Sequence, residues 1–131
     1  MDYITVDCHF SLTNKNDPTV AELKEGLIKT GYLDDMNRIS IKFNKPIIIS
    51  EIYYFALDGT NKQPGNGQIS TTIDLQEQAD CYQATFEVLW GQPWLKGIFW
   101  YQYYVCTPNW LQSPQDRPAE EVIKKYYLSD E

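Results

Sequence analysis

Apolar positions along the chain form three short runs rich in β-branched or aromatic residues, separated by stretches with helical spacing. The first run is Tyr3-Ile4-Thr5-Val6-Asp7-Cys8. The second follows Lys45-Pro46 as Ile47-Ile48-Ile49-Ser50-Glu51-Ile52. The third is Gly97-Ile98-Phe99-Trp100-Tyr101-Gln102-Tyr103. These predict strands over about 2–8, 46–52 and 97–103. Between them, Asp17 is a good N-cap and Pro18 suits a first helical position. Val20, Leu23, Leu27 and Ile28 then recur at helical spacing, and Gly31 breaks the run. A second helical pattern passes through Leu33, Met36, Ile39 and Phe43, with Asn44 closing it. Asp74 caps a longer helix with Gln76 and Glu77 in its first turn, and Gly91 ends it. Gln92 to Lys96 reads as a connector. A final helix begins at Pro118-Ala119-Glu120-Glu121, with acids where the helix dipole favours them.

Strands alternating with helices predict an α/β fold with a parallel sheet and right-handed crossovers. Residues 1–131 show no repeat, low-complexity tract or linker, so a single domain is expected. One segment is unusually polar. Asp58 to Thr72 holds Asp58-Gly59, Pro64-Gly65 and Asn66-Gly67, all turn signals. A loop of this length is uncommon unless it is functional or mobile.

Within the second strand, four isoleucines surround one carboxylate, Glu51. A continuous β-branched run is the mark of a strand buried on both faces. An unpaired charge is expensive to bury in such a run. In α/β barrels a carboxylate at the C-terminal end of a strand has a usual purpose, because the chemistry is done there. Glu51 is therefore the residue to explain.

Composition narrows the partners. The formal charge of −7 opposes binding to nucleic acid or to an anionic membrane surface. The longest apolar runs have strand length, so no membrane span is expected. The N-terminus lacks a basic region followed by an apolar core, and a cytoplasmic location is expected. Cys8, Cys81 and Cys106 are widely spaced and suggest reduced, partly buried thiols rather than a zinc site. No metal or other cofactor is expected. Ten tyrosines and four tryptophans give a high aromatic content. Such rings fill cores and interfaces, and can also line a sugar site.

The segment Pro46-Ile47-Ile48-Ile49-Ser50-Glu51-Ile52-Tyr53-Tyr54, followed by Asp58-Gly59, resembles the "PIIFTEIGY…DG" segment of TIM-barrel glycoside hydrolases of the family 113 β-mannanase type. Three other segments agree in order and spacing. Asp2-Tyr3-Ile4 through Phe10, with Asp17-Pro18-Thr19-Val20, is similar to that family's sixth strand and following helix. Trp94 to Trp100 is similar to the eighth strand. Ser113-Pro114 with Arg117 to Val122 is similar to the closing loop and helix. The resemblance covers nearly all of this chain but only the last three β/α units of the (β/α)₈ barrel. It implies parallel strands with helices outside them, in an incomplete barrel.

The resemblance gives Glu51 the position of the nucleophile in a retaining mechanism. It matches Trp100 to an aromatic that floors a sugar subsite. Tyr53, Tyr54 and Tyr101 become candidates for orienting Glu51 or binding sugar hydroxyls, and His9 for substrate binding. The departures are specific. His9 stands where the family usually has tyrosine, and Tyr53 replaces the usual glycine. The acid/base glutamate belongs to the family's fourth strand, which this chain lacks. The isolated chain is therefore expected to be inactive. The implied function is a fragment or subunit of a retaining hydrolase of β-mannan-like polysaccharide. The alternative is a non-catalytic carbohydrate-binding or degenerate barrel fragment. Three strands cannot close a barrel. The expected partners are an oligo- or polysaccharide, with a complementary barrel fragment or further copies of the chain covering the open edges.

Overall fold

The structure, a computed structural model, describes residues 2–104 and 110–129. Cys106 lies outside the described residues. Three strands, β1 (Ile4–Cys8), β2 (Ile47–Ile52) and β3 (Leu95–Trp100), form one sheet in the order β1-β2-β3, and both pairings are parallel. Among the described residues four helices accompany the sheet: α1 (Val20–Lys29), α2 (Tyr32–Phe43), α3 (Leu75–Leu89) and α4 (Pro118–Tyr127). The sheet is open, with β1 and β3 as its outer strands.

The two faces of the sheet differ sharply. Cys8, Ile47, Ile49, Ile52 and Ile98 are buried and share one core with residues of α1, α2, α3 and α4. Residues of the other parity, Thr5, Asp7 and Phe99, are exposed. The isoleucine run is thus buried on one face only, since Ile48 on the other face is only partly covered. Three strands leave that second face open, where a closed barrel would fill it with side chains.

Local chemistry explains the elements and corrects four boundaries. Helix α1 is capped by Thr19, not Asp17, through a two-armed capping box. The Thr19 hydroxyl accepts from Glu22 N–H, and the Glu22 carboxylate accepts from Thr19 N–H. Asp17 instead takes a left-handed φ of 44°. Strand β1 starts at Ile4, two residues later than expected. Strand β3 starts at Leu95, because Leu95 pairs with Ile47 and Ile47 N–H donates to Trp94 O. It ends at Trp100 rather than residue 103, because β2 ends at Ile52; Tyr101 N–H still donates to Ile52 O, and the chain then departs.

Helix α3 is the central helix. It contacts both α1 and α4, and ten of its residues are buried, among them Tyr82 and Phe86. An amphipathic surface helix would not bury so much of its circumference. Asp74 caps it, accepting from Glu77 N–H at 2.8 Å. Asn44 closes α2 in the left-handed conformation, and Pro118 opens α4, as their chemistry predicts. Gly26 permits a close crossing. A Cβ there would lie 1.8 Å from Leu12 O, so only glycine lets α1 touch the segment after β1.

Candidate active site

Strand β2 carries one more residue than its neighbours at its C-terminal end. Val6 pairs with Ile49 but Asp7 pairs with Glu51, so Ser50 is inserted. The same bulge appears against β3, where Ile49 pairs with Ile98 and Ile52 with Trp100. Alternation alone would send Ser50 and Glu51 to opposite faces. The bulge sends both to the open face and returns Ile52 to the core, which accounts for the burial pattern of the strand. Ser50 Oγ donates to Asp7 Oδ1 at 2.7 Å across that face.

Glu51 therefore stands at the C-terminal end of the central strand, half-exposed, without burying its charge. Glu51 Oε1 lies 3.3 Å from His9 Nε2, with side chains 35% and 33% exposed respectively. His9 follows β1 directly, so adjacent parallel strands deliver both groups to one rim. The His9 ring meets Tyr53 edge-on, with centroids 4.7 Å apart. Tyr53 also contacts Phe55 at 5.4 Å and Tyr101 at 5.8 Å. Burial, then the Glu51 charge, pushes the Tyr53 phenol above its usual range. An ionised Tyr53 is thus disfavoured beside the carboxylate.

The structure brings four of the six sequence candidates together: His9, Glu51, Tyr53 and Tyr101. Two are placed elsewhere. Trp100 lies on the helix side of β3, stacked on Tyr82 at 3.9 Å and close to Phe86 at 5.2 Å. Tyr54 is buried in the core, within hydrogen-bond distance of Thr85 Oγ1 at 2.8 Å. In this conformation Tyr54 is a packing residue, and Trp100 packs on α3 while also bordering a cleft at the rim. Of the remaining aromatics, the Tyr103 hydroxyl donates to Glu120. Trp94 is buried in the core, whereas Trp110 is half exposed and stacks on Tyr104. A cleft of about 390 Å³ on the β3 side of this rim is lined by Ser50, Phe99, Trp100, Tyr101 and Tyr103, among others.

Sequence reasoning missed the anchor of the long loop. Glu77 is buried, and its carboxylate accepts from Gly59 N–H at 2.8 Å, Asn61 N–H at 2.9 Å and Asn61 Nδ2 at 2.6 Å. Its place in the first turn of a helix reads as a dipole or capping residue. Its tie to a loop far earlier in the chain leaves no local signal. Among the described residues, no three His, Cys, Asp or Glu side chains gather into a metal site. No helix among them is long and apolar enough to cross a membrane.

Three parallel β/α units with a carboxylate at the C-terminal rim define a segment of a TIM barrel, the class in which reacting groups project from strand ends. The comparisons agree. Residues 17–121 match Glycoside Hydrolase Family 113, and the chain belongs to that family. It is similar in structure to a GH113 β-1,4-mannanase, with 25% identity and a TM-score of 0.73 over 99% of this chain and 40% of the other. A second GH113 β-1,4-mannanase structure gives 26% identity, a TM-score of 0.73 and the same coverage. The GH113 β-mannanase AaManA from Alicyclobacillus acidocaldarius, solved in complex with ManMIm, has the same fold. It gives 18% identity and a TM-score of 0.74 over 95% of this chain and 37% of that one. The chain thus spans about 40% of the length of the mannanases it matches. No curated protein matches it significantly.

Proposed function

We propose that this chain supplies the nucleophile side of a retaining β-mannanase-type active site, with Glu51 as the nucleophile. One observation carries the reading. Glu51 is a half-exposed carboxylate at the C-terminal rim of the central strand, and a bulge aims it at the open face beside His9. An ionised carboxylate there can attack an anomeric carbon and form a glycosyl-enzyme intermediate. His9 within 3.3 Å can hold the attacking oxygen in position. Tyr53 and Tyr101 offer ring surface and hydroxyls at the same rim.

Retention needs a second carboxyl group about 5–5.5 Å from the first. Asp7, the neighbour of Glu51 across the sheet, is held by the Ser50 hydroxyl and serves the strand pair. The acid/base is therefore assigned to β/α units outside this chain. Those units would also cover the open face and the outer edges of β1 and β3, joined to this chain or carried by a partner. The substrate is a β-linked mannan or a related polysaccharide.

The test is hydrolysis of manno-oligosaccharides by the chain joined to, or mixed with, the complementary five β/α units. Glu51→Gln should lower turnover by about 10³-fold or more, as loss of a nucleophile does. Equal turnover by wild type and variant would remove Glu51 from the mechanism. A second reading, non-catalytic carbohydrate binding, is favoured by the half-exposed Tyr101 and Tyr103 lining the cleft at the same rim. Sugar-dependent tryptophan fluorescence without turnover would select it.

A further inference from the structure

We propose that Glu77 is a positioning residue, which sets the His9–Glu51 pair through the loop joining β2 to α3. The inference rests on reading that pair as the reacting site. A route of contacts leads from Glu77 to His9. The Glu77 carboxylate gathers the loop by accepting from Gly59 N–H, Asn61 N–H and Asn61 Nδ2, so that both its oxygens are used. Asn61 O in turn accepts from Leu12 N–H at 2.8 Å. Leu12 lies three residues after His9 and is itself buried. On its other side, Leu12 O faces the gap that Gly26 leaves in α1. The segment carrying His9 is thus clamped between a helix and the loop. Further along the loop, Gly65 brings the chain over the imidazole, where a Cβ would sit 3.9 Å from His9 Cβ and Cγ. Gly67 lies so close to Phe55 that a Cβ would fall 2.9 Å from the ring, and Phe55 abuts Tyr53.

The energetics favour positioning over bulk stabilisation. Desolvating a carboxylate is costly, and hydrogen bonds from amide N–H groups offset that cost. An apolar residue would add more stability at a helix–loop contact, but it could not fix two backbone amides and a side chain at defined points. A carboxylate enclosed by N–H groups does so, because the donors converge on two oxygens held by the helix. Thr60, Asn61 and Pro64 are fully buried, consistent with a loop held in one arrangement.

His9 is the only histidine in the chain, so its ring protons report the site without ambiguity. The experiment is NMR of the full chain, wild type against Glu77→Gln. Amide hydrogen exchange at Gly59 and Asn61 is read alongside the His9 ring resonances. In the wild type, the edge-on Tyr53 ring should shift those resonances away from free-histidine positions. Glu77→Gln should lower amide protection at Gly59 and Asn61 by about tenfold, the effect of one unsatisfied buried donor. The His9 lines should move toward those of free histidine. Lost protection with unmoved His9 lines would reduce Glu77 to a loop anchor and overturn the proposal, as would no change at all. Should Glu77→Gln fail to fold, Glu77→Asp keeps the charge and draws the loop toward α3. The His9 lines should move there too, and unmoved lines are fatal to the idea. The readout needs no turnover, so a failure of the Glu77 clamp and a failure of Glu51 as nucleophile are told apart.

Discussion

Trp100→Ala separates the two roles open to an aromatic at the end of β3. The ring stacks on Tyr82 at 3.9 Å with an interplanar angle of 18°, and Phe86 and Tyr54 flank it. A tryptophan buries on the order of 150–250 Å², and Trp100 is partly exposed, so its removal uncovers about 100 Å². At about 25 cal/mol per Å², that is roughly 2.5 kcal/mol. The lost ring–ring contact adds about 0.5–1.5 kcal/mol. The sum, about 3–4 kcal/mol, agrees with the usual cost of deleting a packed tryptophan. For a domain whose stability is about 5–15 kcal/mol, this is a large fraction. Urea unfolding followed by far-UV circular dichroism measures it. With a slope of about 2 kcal/mol per M, the midpoint should fall by roughly 1.5–2 M. Trp110→Ala is the contrast, because that ring is 49% exposed. It should change stability by about 0.5 kcal/mol or less. A Trp100→Ala loss below about 1 kcal/mol would refute the packing argument and return the ring to the proposed sugar site.

Three further outcomes follow from local chemistry. Gly26→Ala should destabilise by about 1–3 kcal/mol, because its Cβ meets Leu12 O at 1.8 Å and a helix must shift to make room. Thermal unfolding reads this, and an unchanged midpoint would show that the crossing is looser than drawn. Burial, then the Asp7 charge, pushes the Cys8 thiol from 9.0 up to about 12. Its contribution to stability is therefore complete below about pH 9 and is lost as the pH rises toward 12. Native Cys8 should resist a thiol reagent at pH 8 and react once the chain is unfolded. Hydrogen bonds from Lys15, then from Thr19 N–H, draw the Glu22 carboxyl down to about 2. The capping box should hold above the ordinary carboxylate range and be lost as the pH falls toward 2. The Thr19 and Glu22 amide resonances follow that titration.

The parts of the fold visible in the sequence were those with local causes. Asp74, Asn44 and Pro118 mark helix ends by their own backbone and side-chain chemistry, and each does so in the structure. The β-branched run after Pro46 is a strand because its side chains fit a pleated surface. Where several residues could serve equally, the sequence was silent. Asp17 and Thr19 are both good caps, and only Thr19 has a glutamate three residues on to complete the box. In Gly97-Ile98-Phe99-Trp100-Tyr101, nearly every position is apolar, so alternation does not tell which ring meets the helices. Pairing with β2 decides it, sending Ile98 and Trp100 inward and Phe99 outward. The burial of Glu77 was hidden for a different reason. Its partners, Gly59 and Asn61, precede it by a whole loop, and nothing in the spacing joins them.

A carboxylate in an isoleucine strand looked like a buried charge in need of a partner. The bulge at Ser50 removes that conflict. Ile47, Ile49 and Ile52 keep the core face, while the extra residue places Ser50 and Glu51 together on the open one. The strand can therefore be as apolar as its core requires and still present an ionisable group at its C-terminal rim. This has a consequence for the proposed chemistry. A nucleophile at a strand end keeps its position only while the ladder on both sides holds its register. Here β1 supplies His9 and the Asp7–Ser50 bond, and β3 fixes the far side through Tyr101 N–H to Ile52 O. The three strands are thus sufficient to aim Glu51. In the proposed site they supply one side of the cleft, and the retaining reaction would take its second carboxyl from the other.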